Sequence, residues 1–521
     1  MIYEKGNEKK NIHKTKHFWF LRVIIVLFLG LTFSLLSINC HRKTTERWLG
    51  RVETDLEKLQ QRLVLETKVE ANGQSRISQG TFAVYENRNA QTGKMIHLKV
   101  VVLHALSPHP RPDPIFFLAG GPGADVTANA PNLRRSPFRR ERDIVLVSQR
   151  GTGGDNRLDC PEAANDEDLQ SYLGPFFREA VYQKCLKRLS AKYDLRWYST
   201  FAAADDLYEV RLALGYDQIN LIGGSYGTRM ALIYMSQHPE TVRTAILNGV
   251  VPVAFRNPLY HSPAAARALE LILNECVQVP ECQQAFPHLR EELESIFNRL
   301  EKEPVIVEID HPVTKKKIKV SLDKAAFAEA LRTIMYSDLT NRQVPYLIHQ
   351  AYLGDFQPFA TQGLASNRRI RKLIALGMLL CVTCAEDVAR INPEEIPAVI
   401  GNSFLGDRRV KQQMAVCRFW PKSILPDDFA KDVSVDVPTL IISGNFDPVT
   451  PPRWGEEAAR HLPQSLHLVI PGAHVSGGKC LEKIQQQFLD TWTVVNLDTA
   501  CAQQLPKTIK FYIPQTEEKN K

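Results

Sequence analysis

The chain has 521 residues, of which 44% are hydrophobic and 23% are charged, a composition typical of globular proteins with a sizeable core. The formal net charge is +8, and half of it comes from residues 1–39, which hold five lysines and one arginine against two glutamates. The rest of the chain has no basic stripe interleaved with aromatic residues, which argues against binding to nucleic acid.

The N-terminal segment has the pattern of an export signal. Residues 1–22 are rich in lysine, and residues 23–38 are almost wholly apolar, which is short for a membrane span but suits a signal peptide. Cys40 follows as in a lipoprotein box, in which the cysteine becomes the lipidated amino terminus, although Asn39 is larger than the residue usual before it. We therefore predict that residues 1–39 direct export and that Cys40 is lipidated.

An uncleaved signal anchor is the alternative to lipidation. Either arrangement exports the protein and attaches it to a membrane through its N-terminus. The expected location is the bacterial cell envelope, on its periplasmic or surface face.

The next segment has helical periodicity. Apolar residues from Trp48 to Leu63 recur at spacings of three and four, which is the spacing of one helix face. We predict a helical spacer over residues 40–75, or a helix docked on the core.

From residue 76 onward, strand-like and helical patterns alternate, which predicts an α/β fold: a mostly parallel sheet with helices on both faces. We predict a first core part at 76–258, an inserted cap at 259–431, a second core part at 432–510 and a polar tail at 511–521. The strand-like runs of the first core part are 80–86, 95–105, 115–118, 144–148, 219–223 and 244–250.

The central motif is Gly223-Gly224-Ser225-Tyr226-Gly227, between an apolar strand-like run and a helical one. Glycines two residues before and two residues after a serine, at a strand-to-helix turn, are typical of a nucleophile elbow. A glycine-rich turn that serves only packing is the alternative. We predict that Ser225 is the nucleophile.

An acid and a histidine follow in the order that this arrangement uses. Asp447 comes after the apolar run 437–442, and His474 comes after the run 466–470. Both therefore lie just past the carboxyl end of a predicted strand, where open α/β sheets build their sites. We predict His474 as the base and Asp447 as its orienting carboxylate; His461, on a predicted helix, and His467, inside a strand, are the alternatives.

A glycine-rich loop at 119–123 follows the buried run 115–118. Glycines allow backbone amides to approach a ligand closely, and two converging amides stabilise a tetrahedral oxyanion. We predict the amides of Gly121 and Tyr226 as these donors.

The acid lies 222 residues after the serine, far more than one further strand and its crossover need. The excess is rich in helix formers and carries a basic hairpin-like stretch at 312–319. We interpret it as a cap over the site rather than an independent binding domain, because the acid and the histidine follow core strands immediately.

Cysteine usage agrees with an oxidising compartment, where disulfides are expected. Cys417 can pair with either Cys381 or Cys384, and the preferred choice leaves Cys381 free. The lone Cys-x-x-Cys could instead indicate a redox site or a metal site, but it lacks a second such motif. We predict no metal and no cofactor. The four predicted disulfides are Cys160–Cys185, Cys276–Cys282, Cys384–Cys417 and Cys480–Cys501.

A cluster of arginines at 134–142 is predicted to form a solvated helical face, the alternative being contact with a substrate carboxylate.

Five segments together resemble the α/β-hydrolases of the prolyl iminopeptidase and tripeptidyl aminopeptidase family. They occur in family order within roughly residues 80–505, and they are 118–123, 149–153, 203–207, 223–228 and 444–451. The resemblance implies hydrolysis of peptide or amide bonds next to a free amino terminus, so the expected partner is a peptide with a free N-terminus. Ala119 and Ser148 depart from the residues usual in the family.

Recognition of an amino terminus calls for a carboxylate in the cleft. Glu386 and Asp387 are candidates because the family carries an acidic residue in a similar segment, and Glu386 is the one we select. Two alternative functions remain: a carboxylesterase with the same triad, and a catalytically silent surface lipoprotein, which would have no chemical need for serine, acid and histidine together.

Overall fold

The structure of the protein, a computed structural model, describes residues 52–69 and 75–514. Its main element is a nine-stranded sheet, accompanied by a separate two-stranded sheet. The strands, numbered in chain order, are β1 (Leu63–Val69), β2 (Arg76–Tyr85), β3 (Met95–Leu103), β4 (Ile115–Leu118), β5 (Ile144–Val147), β6 (Ile219–Gly224), β7 (Val242–Asn248), β8 (Val305–Asp310), β9 (Lys317–Leu322), β10 (Thr439–Gly444) and β11 (Ser465–Ile470).

The large sheet has the strand order β1-β2-β3-β5-β4-β6-β7-β10-β11. The first four strands in this order pair antiparallel, and those from β5 to β11 pair parallel. Strands β5 and β10 are buried along their whole length, as expected for parallel strands covered by helices on both faces. The predicted α/β fold with a mostly parallel sheet is thereby confirmed.

Helices cover the sheet and make up most of the insertion. Short 3₁₀ turns occur at 126–129, 137–139, 154–156, 169–172, 195–197, 239–241, 388–390 and 393–395. The α-helices are α1 (Leu56–Gln61), α2 (Ala130–Leu133), α3 (Glu179–Ser190), α4 (Thr200–Ala213), α5 (Tyr226–Gln237), α6 (His261–Gln278), α7 (Pro280–Ala285), α8 (Leu289–Lys302), α9 (Lys324–Ile334), α10 (Asp338–Asn341), α11 (Val344–Tyr352), α12 (Gln357–Leu373), α13 (Leu376–Glu386), α14 (Ile396–Ile400), α15 (Arg408–Phe419), α16 (Arg453–Ala459), α17 (Lys479–Thr491) and α18 (Ala500–Gln503).

The segment between β7 and β10 contains helices α6 to α15 and the hairpin β8–β9. It has a hydrophobic core of its own, in which the rings of Phe327 and Phe359 stack with centroids 3.8 Å apart. This core also takes in Leu169 and Leu173, from before the insertion, and Phe511, from after it. The cap is therefore built from more of the chain than residues 259–431.

Phe511 also corrects the prediction of a polar tail at 511–521. Its side chain is buried in the cap, and the amide of Tyr512 donates to the carbonyl oxygen of Arg342 at 2.9 Å. Burial of an aromatic ring outweighs the polar character of its neighbours in sequence. Residues 515–521 lie outside the described residues.

The helical spacer predicted over 40–75 is wrong for most of its described part. Helix α1 ends at Gln61, and β1 then pairs with β2 in antiparallel register from Leu63 opposite Phe82. Leu59 is buried against the core, but the residues after it gain a full ladder of hydrogen bonds along the sheet edge, which outweighs helical periodicity. The part before residue 52, with Cys40 and the export segment, lies outside the described residues.

The arginines at 134–142 do more than form a solvated face. Arg139 is buried and donates to the carbonyl oxygens of His104 and Arg76 at 2.8 Å. Arg142 is also buried and lies 2.9 Å from carboxylate oxygens of Asp113 and Asp490. Arg142 thereby ties the segment before β4 to α17, and neither arginine lines the cleft described below.

The four predicted cysteine pairs are joined as disulfides. Cys384 is the partner of Cys417, and Cys381 is a free thiol, buried beside Trp420. Among the described residues, no helix combines the length and apolar character that crossing a bilayer requires. The disulfides are Cys160–Cys185, Cys276–Cys282, Cys384–Cys417 and Cys480–Cys501.

Candidate active site

Ser225 occupies the sharp turn between β6 and α5. Its backbone has φ 55° and ψ −128°, a conformation that is strained for a residue with a side chain. The motif glycines are required sterically: a β-carbon on Gly223 would lie 2.4 Å from the carbonyl oxygen of Gly227, and one on Gly227 would lie 2.2 Å from that of Leu118. The turn thus holds Ser225 at the carboxyl edge of the sheet, where the sequence predicts it.

The loop after β4 packs directly against Ser225. A β-carbon on Gly120 would lie 3.1 Å from the Cβ atom of Ser225 and 3.6 Å from its Oγ atom. Gly121 has φ 119°, and its amide donates to no protein acceptor among the described residues. The same holds, in that part of the chain, for the amide of Tyr226, the first residue of α5. Both predicted oxyanion donors therefore belong to segments that meet at Ser225.

Asp447, after β10, is fully buried and makes a complete set of hydrogen bonds. Its Oδ1 atom accepts from the amides of Val449 and Thr450, and its Oδ2 atom accepts from the Thr450 hydroxyl and lies 2.8 Å from Nδ1 of His474. Burial opposes ionisation of Asp447, but the charge and hydrogen bond of His474, with the bonds from Thr450, outweigh it and hold the pKa of Asp447 below its ordinary value. An ionised Asp447 orients His474 with Nδ1 as donor and leaves Nε2 to accept a proton.

The loop that carries His474, after β11, packs against the elbow. Val475 lies against Gly224, and a β-carbon on Gly249 would lie 3.5 Å from Cε1 of His474. His474 and Ser225 line one cleft, although no hydrogen bond joins their side chains among the described contacts. Catalytic hydrogen bonds of this kind commonly tighten only with substrate.

The cap holds the histidine loop from above. The amide of His474 donates to the carbonyl oxygen of Tyr336 at 3.2 Å, and the two rings meet edge to face with centroids 5.3 Å apart. Asp338 accepts from the amide of Ala473 at 2.6 Å and from the hydroxyl of Ser476 at 2.8 Å. The position of His474 thus depends on the cap.

The two alternative histidines lie elsewhere. His467 is within hydrogen-bond distance of the Ser443 hydroxyl, 2.9 Å away, and burial lowers its pKa. His461 lies 3.6 Å from Asp432 and 3.8 Å from Glu457. Neither histidine lines the cleft.

Glu386, selected from the family resemblance as the substrate carboxylate, does not line the cleft. Its two carboxylate oxygens accept from the amide and the hydroxyl of Thr200, each at 2.7 Å. Thr200 begins α4, and a helix N-terminus attracts a carboxylate. The Thr200 hydroxyl also lies 2.7 Å from that of Tyr226, so Glu386 supports the elbow helix from behind. Asp387 lines the cleft instead, in an ion pair with Arg229 at 2.6 Å.

The replacement Glu386→Gln is expected to remove a pH dependence of stability. Burial raises the pKa of Glu386 from 4.5 to about 7, because the charged form loses hydration. Between these values the folded chain keeps a proton that the unfolded chain has released, so the free energy of unfolding of the wild type falls as pH rises. Glutamine does not titrate. The free energy of unfolding of Glu386→Gln, relative to that of the wild type, should therefore rise by about 1–3 kcal/mol between about pH 4.5 and pH 7.5.

Denaturant unfolding of both proteins at the two pH values measures this difference. Glu394→Gln, at an exposed residue, is the matched control and should follow the wild type. An unchanged difference between Glu386→Gln and wild type at the two pH values would contradict the prediction.

The cleft above Ser225 has a volume of about 920 Å³. The core contributes the elbow, the glycine loop and His474, and the cap closes it with Arg332, Tyr336, Arg371 and Arg409. These cap residues were not predicted from the sequence, because no local pattern marks which face of a cap helix turns toward the core. Asp125 was not predicted either, although its position two residues after the glycine loop was an available signal.

Two of the five family segments support the fold rather than the chemistry. Arg150, from segment 149–153, donates to both carboxylate oxygens of Asp206 at 2.7 and 2.8 Å. Both side chains are buried, and Arg88 joins them at 2.5 Å from Asp206. This buried ion cluster fixes α4 against the antiparallel part of the sheet.

Comparison with known proteins agrees with this architecture. Residues 113–275 match the family described as alpha/beta hydrolase fold, and residues 402–501 match the family described as TAP-like protein. The chain is 24% identical over 425 residues to the serine protease Hip1 of Mycobacterium tuberculosis, covering 71% of this chain and 77% of that relative.

Proline iminopeptidases match a shorter segment. The one of Neisseria gonorrhoeae is 26% identical over 158 residues, which is 30% of this chain and 39% of that relative. The one of Arabidopsis thaliana is 28% identical over 158 residues, which is 30% of this chain and 32% of that relative. The chain is therefore a serine hydrolase, an α/β-hydrolase of the proline iminopeptidase and TAP-like family.

Proposed function

We propose that the protein is an exported serine peptidase that cleaves peptide bonds near a free amino terminus through an acyl-enzyme. The observation that carries this proposal is the convergence of Ser225, the His474–Asp447 pair and two free amides in one cleft beneath a cap. The likeness to a serine protease and to proline iminopeptidases favours a peptidase over an enzyme with other acyl-transfer chemistry.

The chemistry follows from the positions of the side chains. Ser225 attacks the scissile carbonyl carbon while His474 takes the hydroxyl proton, and Asp447 stabilises the imidazolium that forms. The amides of Gly121 and Tyr226 donate to the oxyanion of the tetrahedral intermediate. His474 then returns the proton to the leaving amine, and water releases the acyl group by the same steps.

The cap favours peptides over folded proteins as substrates. A cleft of about 920 Å³ lies within the range of sites that enclose small ligands, and it admits a short extended segment. Peptide ends reach such a site more readily than internal loops of a folded protein.

Recognition of an amino terminus needs a carboxylate that is free to pair. Among the described residues, three carboxylates line the cleft, and those of Glu329 and Asp387 are ion-paired with arginines. The Oδ1 atom of Asp125 accepts both bonds from Thr127, whereas its Oδ2 atom has no hydrogen-bond partner or cation among the described residues. We therefore assign the amino terminus of the substrate to Asp125.

Export and membrane attachment belong to the same proposal. The four disulfides are consistent with an oxidising compartment. The lysine-rich and apolar N-terminus, ending at Cys40, supports attachment to the bacterial envelope by a lipid or a signal anchor. Peptides at the periplasmic or surface face would then be the substrates.

Blocking the amino terminus is expected to lower kcat/KM at least about tenfold, which corresponds to about 1.4 kcal/mol. Acetylation removes the cation and leaves a partly desolvated carboxylate unpaired, which costs more than the loss of one contact. Aminoacyl and tripeptidyl fluorogenic amides, each free and acetylated, measure the ratio alongside short acyl esters. Asp125→Asn should bring this ratio close to one, mainly by slowing the free peptides.

Asp155→Asn, at an exposed carboxylate outside the cleft, is the control and should keep the wild-type ratio. Equal cleavage of free and acetylated peptides would refute recognition of the terminus. Rapid turnover of esters with negligible turnover of every peptide would replace the peptidase by a carboxylesterase.

A further inference from the structure

The cleft has an excess of positive charge that catalysis by the triad does not use. Of the charged side chains that line it in the described part of the chain, seven are basic and three are acidic. Arg229 is balanced by Asp387, and Arg368 and Lys372 share Asp166 at 2.6 Å. The remaining excess is concentrated on the cap.

Arg332, Arg371 and Arg409 form an arginine cluster around Glu329. Arg332 lies 2.5 Å and Arg409 lies 2.6 Å from the same oxygen, Oε1, of Glu329. Arg371 has no carboxylate within 4 Å among the described residues, and it donates to the carbonyl oxygens of Ala163 and Gly174. Arg332 and Arg409 therefore share one anion, and Arg371 beside them has no carboxylate partner among the described residues.

Aromatic stacking holds two of these guanidinium groups in place. Arg371 and Arg409 lie 4.5 and 4.6 Å from the ring centroid of Phe176. The Nε atom of Arg409 is buried without a hydrogen-bond partner in the described chain. Guanidinium groups held by rings, with donors left over, are pre-organised to bind a planar anion.

The electrostatics of the arginine cluster favour a second anion. Although burial opposes its ionisation, the charges of Arg332 and Arg409 lower the pKa of Glu329 to about 2, so this carboxylate is charged at neutral pH. Burial, together with repulsion between the arginines, lowers the pKa of both Arg371 and Arg409. Buried cations without enough counter-charge gain when an anion binds between them.

The arginine cluster adjoins the catalytic base. Arg332 donates to the hydroxyl of Tyr336 at 2.6 Å, and the ring of Tyr336 packs on His474. His261, which lines the same cleft, has its pKa lowered by burial and then by the charges of Arg409, Arg332 and His474. An anion held by the arginine cluster would therefore lie close to the bond being cleaved.

We propose that the arginine cluster is a subsite for a carboxylate of the peptide substrate. The proposal rests on the peptidase function proposed above and adds a specificity to it. The carboxylate can be the α-carboxylate of a short peptide or the side chain of Asp or Glu, since both present the planar pair of oxygens that guanidinium groups bind. With Asp125 for the amino terminus, the cleft selects peptides that carry both charges.

Matched peptides test the subsite and identify the source of the carboxylate. The two peptides of the first pair differ only in a free or an amidated C-terminus. The two peptides of the second pair are both amidated and differ only in Glu or Gln at a single position, and this position is moved along the peptide in successive pairs. For at least one pair, the wild type should cleave the charged member with a kcat/KM at least about tenfold higher, because its KM is lower. The pair that shows this preference identifies the source of the carboxylate. Ratios near one for both pairs would overturn the proposal.

Arg409→Gln and Arg371→Gln should each lower the ratio of kcat/KM between the charged and the uncharged peptide at least about fivefold. Arg409→Lys should keep more of this ratio than Arg409→Gln does. Arg408→Gln is the control, because Arg408 precedes Arg409 on α15, is half exposed and does not line the cleft. It should keep the wild-type ratio. A ratio that stays at the wild-type value in both glutamine variants, with Ser225 still labelled by a phosphonate, would show that the arginines only hold the cap.

Inhibition of ester hydrolysis separates this proposal from the peptidase proposal. With p-nitrophenyl acetate as substrate, glutarate should inhibit the wild type at least about tenfold better than glutaramide, and Arg409→Gln should lose this preference. Inhibition by glutarate without any peptide cleavage would support the subsite and refute the peptidase. Peptide cleavage without charge preference, and without glutarate inhibition, would refute the subsite alone.

Discussion

Ser225→Ala is expected to lower kcat by a factor on the order of 10⁴ to 10⁶ and to abolish labelling by a serine-directed phosphonate. The reason is that, under the proposed function, Ser225 supplies the attacking oxygen, and no other serine of the described residues lines the cleft. The fold should be unaffected, because the Ser225 hydroxyl makes no hydrogen bond to the described part of the chain and its strained backbone is set by the neighbouring glycines. Turnover, labelling and circular dichroism of the variant provide the three measurements.

Ser443→Ala is the matched control for this experiment. Ser443 is buried near the end of β10, two strands away from β6, and contacts His467 at 2.9 Å, so it forms a serine–histidine pair outside the cleft. Its replacement should leave labelling and most of the turnover intact. Labelling that persists in Ser225→Ala at another serine would rule out Ser225 as the nucleophile.

The sheet and the elbow could be read from the sequence because each depends on local chemistry. Strand β4 was placed at residues 115–118 by an unbroken apolar run, and the structure has the same bounds. Gly223 and Gly227 were recognisable because backbone atoms of neighbouring segments fill the space of a side chain there. Such constraints act on single residues and leave a signature in the sequence.

Predictions from sequence were wrong where a contact with a residue distant in sequence determines the local structure or the direction of a side chain. The sheet edge offered by β2 turned the residues after Gln61 into a strand despite their helical spacing. At the end of α13, Glu386 was selected over the adjacent Asp387, but contact with Thr200 turns Glu386 away from the cleft, which Asp387 lines instead. A composition or a spacing carries no information about which of two neighbours meets such a partner.

The cap arginines are a second example of a feature that depends on contacts between distant parts of the chain. Arg332, Arg371 and Arg409 lie on three different helices, separated by tens of residues, and none belongs to a motif. Only the packing of α9, α12 and α15 brings them around Glu329. The position of the elbow was therefore predictable from sequence, whereas the cap residues that line the cleft were not.

Replacement of the base has the second largest expected effect. His474→Gln should lower kcat nearly as much as Ser225→Ala, because a serine hydroxyl without a base is a weak nucleophile and the triad acts as one unit. His467→Ala and His461→Ala are the matched controls and should retain most of the activity, since neither side chain lines the cleft. Loss of activity in either control, with His474→Gln active, would mean that the base is misassigned.

Asp447→Asn separates orientation from proton transfer within the same pair. The Oδ1 atom accepts two backbone amides, so the side-chain oxygen of asparagine should take that place and turn its NH₂ group toward Nδ1 of His474. An NH₂ donor forces Nδ1 to accept, which puts the ring proton on Nε2, the atom that must receive the proton of Ser225. We expect a loss of about 10³ to 10⁴ in kcat with little change in KM. Turnover within tenfold of wild type would show that His474 does not depend on Asp447 for its tautomer.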